Sequence, residues 1–276
     1  MSNTSPIFNR TELLVGTEAM ERLAQTKVIV FGVGGVGSWC AESLVRSGIG
    51  HLTMVDSDRV CVTNVNRQSM ATSHTVGQVK VAALRERLLQ IAPTADVQAV
   101  QEIYSAQTAH HFPLQEYDYV IDAIDSLANK LELIVQATDK NLPRAADGQR
   151  RPILFSSMGA ALKMDPTLVR VSEFWEVDGC PLAATLRRRM RRLHRFPGRK
   201  FRCVWSPEVL PNHGQVHTCG TANCLCPKSR EADGRADLAN HEWCTSKAQI
   251  NGSVVHITAI MGFTLAGLVM QDLLKS

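Results

Sequence analysis

Lys27–Gly37 reads KVIVFGVGGVG. Its first part, Val28-Ile29-Val30-Phe31, is a short unbroken apolar run, the pattern of a strand covered on both faces in a parallel sheet. Gly32, Gly34 and Gly37 then complete G-x-G-x-x-G, with Gly35 inside the motif, and SWCAESLVRSG continues with helical spacing to Gly48. Glycine suits that turn because a side chain would bar backbone N–H groups from phosphate oxygens. The helix that follows aims its positive end at the same place. A second strand is expected over His51–Val55, closed by Asp56. A carboxylate roughly 20 residues beyond the glycines can hold ribose hydroxyls. The stretch predicts a doubly wound, Rossmann-like α/β fold with a mainly parallel sheet that binds a nucleotide.

Working outward, 276 residues suffice for one large α/β domain with an elaboration, or for two domains. The net charge of +4 is modest but uneven: Arg187–Arg202 holds eight arginines and one lysine with no acid. Met1–Arg10 is polar and lacks the apolar centre of an export signal, so a cytoplasmic location is expected. The eight cysteines are then expected as thiols or metal ligands rather than a disulfide frame. Val254–Met270 is apolar but contains His256, Thr258 and Thr264. It reads as a buried or dimer-interface helix in which Gly262 and Gly267 allow close packing, with peripheral membrane contact as the alternative.

Residues 1–9 read as a tail, followed by Arg10 and by a helix over Thr17–Gln25 capped by Thr17. After the second strand, Asp56-Ser-Asp58-Arg-Val-Cys-Val-Thr-Asn64-Val-Asn66-Arg67-Gln68 is dense in acids, amides and arginine at a strand's carboxyl end, where open α/β sheets bind ligands. Arg67 offers a phosphate a bidentate fork. A helix over Gly77–Ile91 carries Lys80 in its first turns, placed to point back at phosphates or simply into solvent. Third and fourth strands are expected over Asp96–Gln101 and Tyr117–Ile121. The fourth runs into Asp122-Ala-Ile-Asp125-Ser126, where Asp125 can hold Mg²⁺ and Asp122 can cap a helix over Ser126–Lys140.

GVGGVGS, DSDRVCVTNVNRQ, VGQVKV and DAIDS, in this order, resemble the ATP-binding half of the ThiF/MoeB superfamily, related to ubiquitin-activating enzymes. The resemblance implies adenylation of a carboxylate with ATP and Mg²⁺ and release of pyrophosphate. It implies that Gly32, Gly34, Gly35, Gly37, Asp56, Asp58, Gln68 and Ser126 line the nucleotide and that Asn64, Arg67 and Lys80 engage its phosphates. Asp125 would bind Mg²⁺, and Arg10 matches an arginine donated across a homodimer. Arg10, Arg67, Lys80 and Asp125 are thus the candidate catalytic residues.

Protein-activating relatives usually carry two Cys-x-x-Cys pairs, and this chain has none. Instead Leu162-Lys-Met-Asp165-Pro166, Cys180-Pro181-Leu182, Cys203-Val-Trp-Ser206-Pro207-Glu208 and Asn251-Gly252-Ser253 are similar to the branch that dehydrates threonylcarbamoyladenosine in tRNA. The implied reaction activates the threonyl carboxylate and closes a ring. Activation of a ubiquitin-like or sulfur-carrier protein is the alternative, and a non-catalytic ATP-bound RNA- or protein-binding role is a third reading. A basic helix around Leu186–Arg195, with Met190 and Leu193 on one side, suits an RNA backbone. Residues 10–175 are expected to form the adenylation domain and 176–276 a tRNA-binding and dimerisation region. Asn141–Pro152 and Asn212–Trp243 depart from the family pattern. The latter contains Cys219, Cys224 and Cys226, with Cys244 just beyond. These four offer thiolates for Zn²⁺, free thiols, or sulfur chemistry with a sulfur-relay protein as partner.

Overall fold

The structure, a computed structural model, describes residues 5–142, 152–214 and 251–275. Seven strands form one sheet: β1 (Lys27–Phe31), β2 (His51–Val55), β3 (Asp96–Val100), β4 (Tyr119–Asp122), β5 (Ile153–Ser157), β6 (Arg170–Glu173) and β7 (Arg202–Trp205). Their order is β3-β2-β1-β4-β5-β7-β6, all parallel except β6, which runs antiparallel to β7. This is the doubly wound α/β architecture, and the strand order reverses between β1 and β4.

Side chains of β1 alternate between the two layers it separates. Val28 and Val30 enter a core with helices α2 (Thr17–Gln25), α3 (Gly37–Arg46), α4 (Lys80–Ile91) and α7 (Val255–Leu273). Ile29 and Phe31 enter the other, with α5 (Leu127–Ala137) and α6 (Pro181–Leu193). There the ring of Phe31 meets Tyr104 at 4.7 Å and Phe112 at 5.4 Å. β7 enters the sheet between β5 and β6, and α7 packs against α3. The regions on either side of residue 175 therefore share one sheet and both of its cores.

Several boundaries differ from expectation for local reasons. Residues 5–9 are not a tail: Pro6–Phe8 form a 3₁₀ turn leading into α1 (Asn9–Val15). Thr17 does not cap α2; its hydroxyl donates to Glu12 at 2.9 Å, and Gly16 holds the cap position. α4 starts at Lys80 because Gly77 has φ of 92° and Val79 bridges to Arg59. α5 ends at Ala137, where the Thr138 hydroxyl turns back to the Ile134 carbonyl at 2.6 Å. α7 is long and apolar enough to cross a membrane, yet half of its apolar window is buried within this chain. Gly262 accounts for the close fit, since a Cβ there would meet the Val36 carbonyl at 2.5 Å. At Gly267 a Cβ would meet nothing within 4 Å among the described residues, so close packing against them does not explain that glycine.

Candidate active site

The loop after β1 lies directly against the loop after β4. Gly32 has φ of 84°, and a Cβ there would stand 2.7 Å from the Ala123 carbonyl oxygen, so only glycine fits. Gly35 is pressed by α7 and the arginine-bearing turn: a Cβ there would lie 3.0 Å from Thr258 Cγ2 and 3.5 Å from Arg67 Cγ. Gly34 is different. Its φ is not positive, and a Cβ would meet only Gln68 Nε2, at 3.8 Å. Nothing among the described residues demands glycine there, and the bare backbone leaves room for a ligand to approach. Beside it, Gln68 is buried and its Oε1 has no hydrogen-bond partner among the described residues.

Asp56, at the end of β2, accepts the Val33 N–H at Oδ2 and the Asp58 N–H at Oδ1, both at 2.8 Å. Burial pushes its pKa up, against the attraction of Lys80. Lys80, the first residue of α4, puts Nζ 2.8 Å from Asp58 Oδ2. Burial pulls the Lys80 pKa down, but Asp56, Asp58 and Asp125 more than offset it, and the ammonium stays charged. Carboxylate oxygens are the donors a hard cation such as Mg²⁺ takes, and Asp56, Asp58 and Asp125 supply them here, although among the described residues they do not converge on one point as a ready-made metal site.

Arg67 donates from Nη1 to the Thr63 carbonyl at 2.8 Å and to Asn66 Oδ1 at 3.0 Å. Its own carbonyl accepts the Trp39 indole N–H at 2.9 Å. Asn64 faces inward, accepting the Cys61 N–H at 3.0 Å, and so builds the turn that carries Arg67. Asp125 is exposed, and Ser126 heads α5 without a side-chain capping bond. The glycine loop, Asp56, Asp58, Arg67, Lys80 and Asp125 thus gather around the carboxyl ends of β1, β2 and β4. Arg10 does not join them. It is exposed on α1, and Phe8 at the head of that helix lies 3.9 Å from a Cβ placed on Gly48, beyond the opposite end of α3.

Asp122 does not cap α5. It forms a wholly buried ion pair with Lys130 at 2.8 Å and accepts the Ser156 hydroxyl at 2.6 Å. Asp122 Oδ1 also accepts the Ile124 N–H, and Lys130 Nζ donates to the Ile124 carbonyl, both at 3.1 Å. The pair therefore fixes the loop on which Asp125 stands. Its signal is present in the sequence: Lys130 is a cation among Leu127, Leu131 and Ile134 at helical spacing. Lys163 is a second buried lysine outside the candidate set. It donates to the carbonyls of Ser206 and Glu208, tying the loops after β5 and β7, and burial pushes its pKa down.

The basic segment is less uniform than its sequence. Arg187 donates to the carbonyls of Phe174, Trp175 and Val177. Arg195 forms a two-pronged pair with Glu132 at 2.7 and 3.2 Å, and Arg199 holds the carbonyls of Ala137 and Pro152. Met190 is buried, whereas Leu193, one turn further along the same side, is exposed at the end of the helix. Cys40, Cys61, Cys180 and Cys203 are buried free thiols. Cys219, Cys224, Cys226 and Cys244, with the zinc and sulfur-relay readings placed on them, lie outside the described residues. Among the described residues no cluster of three or more His, Cys, Asp or Glu forms a metal site of its own.

A mainly parallel sheet with a glycine loop at its strand-order reversal, facing carboxylates, lysine and arginine, defines a Rossmann-like nucleotide-site protein. The chain belongs to the ThiF family, with residues 8–276 matched. It is 34% identical over 269 residues to a tRNA threonylcarbamoyladenosine dehydratase of Bacillus subtilis, covering 97% of this chain and 94% of that protein. Among solved structures it resembles the E. coli tRNA N6-threonylcarbamoyladenosine dehydratase, TcdA, in complex with ATP. The TM-score is 0.75 at 30% identity, covering 97% of this chain and 93% of that one. A sulfur carrier protein adenylyltransferase of Thermus thermophilus is 35% identical, but over 116 residues, 42% of this chain.

Proposed function

We propose that this protein is an ATP-dependent tRNA threonylcarbamoyladenosine dehydratase. The observation that carries the reading is the extent of the likeness. The similarity to the tRNA enzyme covers 97% of the chain, whereas that to the adenylyltransferases covers 42% to 66% of it at 28% to 35% identity. The lack of Cys-x-x-Cys pairs points the same way.

The chemistry suits the site. The threonyl carboxylate of the tRNA attacks the α-phosphorus of ATP, pyrophosphate leaves, and an acyl-adenylate forms. A nucleophile within the same side chain then closes a ring and expels AMP, which carries away the carboxylate oxygen, so the net change is loss of water. No general base is required for the first step because the nucleophile is already ionised. The backbone around Gly34 and Gly35 and the carboxylate of Asp56 hold the nucleotide. Asn64 shapes the turn from which Arg67 reaches the phosphates, and Lys80 exchanges part of its bond to Asp58 for them. Asp125 with the neighbouring carboxylates would hold Mg²⁺, which when bound offsets phosphate charge. A cytoplasmic location follows from a tRNA substrate. Functionally, residues 10–175 handle the nucleotide and, through α1, share in the dimer contact, and 176–276 carry most of the tRNA contact.

Arg10 enters from a partner subunit in this reading. α1 presents Leu13 and Leu14 at 88% and 86% exposure beside it, apolar surface that a second copy would cover. Mixing inactive Arg10→Ala with inactive Lys80→Ala protein is expected to restore activity, since one hybrid site has both groups. No recovery despite demonstrated subunit exchange would remove Arg10 from a shared site. The function itself is tested with purified protein, ATP, Mg²⁺ and threonylcarbamoylated tRNA, reading nucleosides by mass spectrometry. Cyclised product with pyrophosphate release is expected. Pyrophosphate release only with a carrier protein would overturn the assignment.

A further inference from the structure

Two aromatic rings stand in the open beside α6. Trp175 is 40% exposed and Phe196 47%, with centroids 6.4 Å apart and planes tilted by 41°. Large rings usually bury their faces, so an exposed pair in contact calls for a ligand.

The rings are held outward by a built support. Trp175 lies in the 3₁₀ turn Phe174–Glu176, backed edge-on by Phe174 at 5.2 Å. Phe174 is fully buried and stacks on Phe201 at 5.0 Å. The three carbonyls held by Arg187 belong to this same stretch, those of Phe174, Trp175 and Val177. Phe196 follows the left-handed His194 that closes α6, and its neighbour Arg195 is locked to Glu132. Two arginines of the basic segment thus act as scaffolding for the two rings.

Three further cations of the segment face solvent. Arg188, Arg191 and Arg192 are exposed and make no ion pair with a described residue. The acids nearby are Glu173, Glu176 and Asp178, each accepting an N–H of its own stretch, from Trp175, Glu173 and Gly179 respectively. The first turn of α6 adjoins the loop after β5, where a Cβ on Gly159 would meet Leu182 at 3.6 Å. From Leu182 to Leu193 the helix spans about 17 Å at 1.5 Å per residue. A polynucleotide whose modified residue occupies the site would run its neighbours along this face.

We propose that Trp175 and Phe196, framed by Arg188, Arg191 and Arg192, form a stacking platform for an unpaired nucleotide of the substrate tRNA. The proposal rests on the tRNA reading above and adds how the RNA is gripped. Unstacked bases in RNA loops are taken up on aromatic faces while cations hold the phosphates. An exposed ring pair at the two ends of a segment that also bears three exposed arginines can carry both functions.

The test uses the full-length protein and threonylcarbamoylated tRNA. Trp175→Ala is expected to raise the KM for tRNA roughly 5- to 100-fold, the loss of one stacked base. kcat and ATP affinity should stay near wild type. Trp175→Phe should recover most of the loss, and Trp175→Leu, which keeps apolar bulk without a π face, should not. The stacking variants should leave the salt dependence of tRNA affinity unchanged. Replacing Arg188, Arg191 and Arg192 together should shallow its log–log slope by about 2 units, at about 0.7 per phosphate. An unchanged KM in Trp175→Ala, with wild-type protein turning over tRNA, would overturn the platform alone. A change of oligomeric state in Trp175→Ala would overturn it in favour of a protein contact. Failure of the wild-type protein to act on tRNA would overturn the platform and the tRNA reading together.

Discussion

Lys80 and Lys130 make the same bond in opposite settings. Each donates to an aspartate at 2.8 Å near the carboxyl end of a central strand, Lys80 to Asp58 and Lys130 to Asp122. Asp58 keeps 28% of its side chain open, whereas Lys130 and Asp122 have no exposure at all. The open pair can trade partners when a phosphate or cation arrives. The closed pair has no access to one, and its bonds to Ile124 hold the loop bearing Asp125. One is a site in waiting and the other is its frame.

Breaking the closed pair should produce the largest effect. Lys130→Met strands a buried carboxylate, and a loss of about 3–5 kcal/mol of stability is expected in denaturant unfolding. Adding Asp122→Leu should return most of that stability but not turnover, because the Asp125 loop stays unanchored. A stable, fully active Lys130→Met protein would erase the distinction between frame and site.

Lys80→Ala should reverse the balance. Turnover, read as pyrophosphate release, should fall about 100- to 1,000-fold, roughly 3–4 kcal/mol of transition-state stabilisation. Unfolding should shift by only about 1 kcal/mol, since water reaches the abandoned Asp58. A stability loss matching that of Lys130→Met, with kcat intact, would make Lys80 a second frame residue.

The Arg195–Glu132 pair sharpens the comparison at its weak end. Hydrogen bonds from Arg195 hold the Glu132 carboxyl below the usual carboxylate range, against the opposing effect of burial. Because the folded pKa is depressed, the stabilisation is present above the unfolded value of about 4.3 and is lost as pH falls through the folded one. With Arg195 39% exposed, about 0.5–1 kcal/mol is expected. The wild-type melting temperature should drop more steeply on acidification than that of Glu132→Gln. Parallel pH profiles would show that the pair contributes nothing.

These contrasts also mark what can be read from sequence. β1, its glycine turn and β2 follow from patterns confined to a few residues, and His51–Val55 and Thr17–Gln25 match their observed bounds. Asp122 reads as a cap from its neighbours alone, because its true partner depends on how β4 and α5 meet in space. The basic segment reads as uniform because nothing local shows that Arg195 meets a glutamate 63 residues away. Nor does it show that Arg187 is spent on three carbonyls. The gathering of Asp56, Lys80 and Asp125 is legible because each follows or faces a strand's carboxyl end. The tie from Asn66 to the Ser253 carbonyl is not.

The contact between α7 and the glycine-loop helix has a consequence for the order of synthesis. Thr258 reaches the Arg67 carbonyl across 191 residues of chain, and Phe263 meets Trp39 edge-on at 5.8 Å. On a ribosome adding 5–20 residues per second, the partner of the glycine loop emerges roughly 10–40 s after the loop itself. Until then the apolar side of α3 that α7 covers is bare, and Gly35 lacks the wall against which it packs. The nascent chain thus carries its nucleotide motif long before it carries a finished nucleotide site, and ribosomes stalled before residue 255 should display a glycine loop that cannot yet hold its shape.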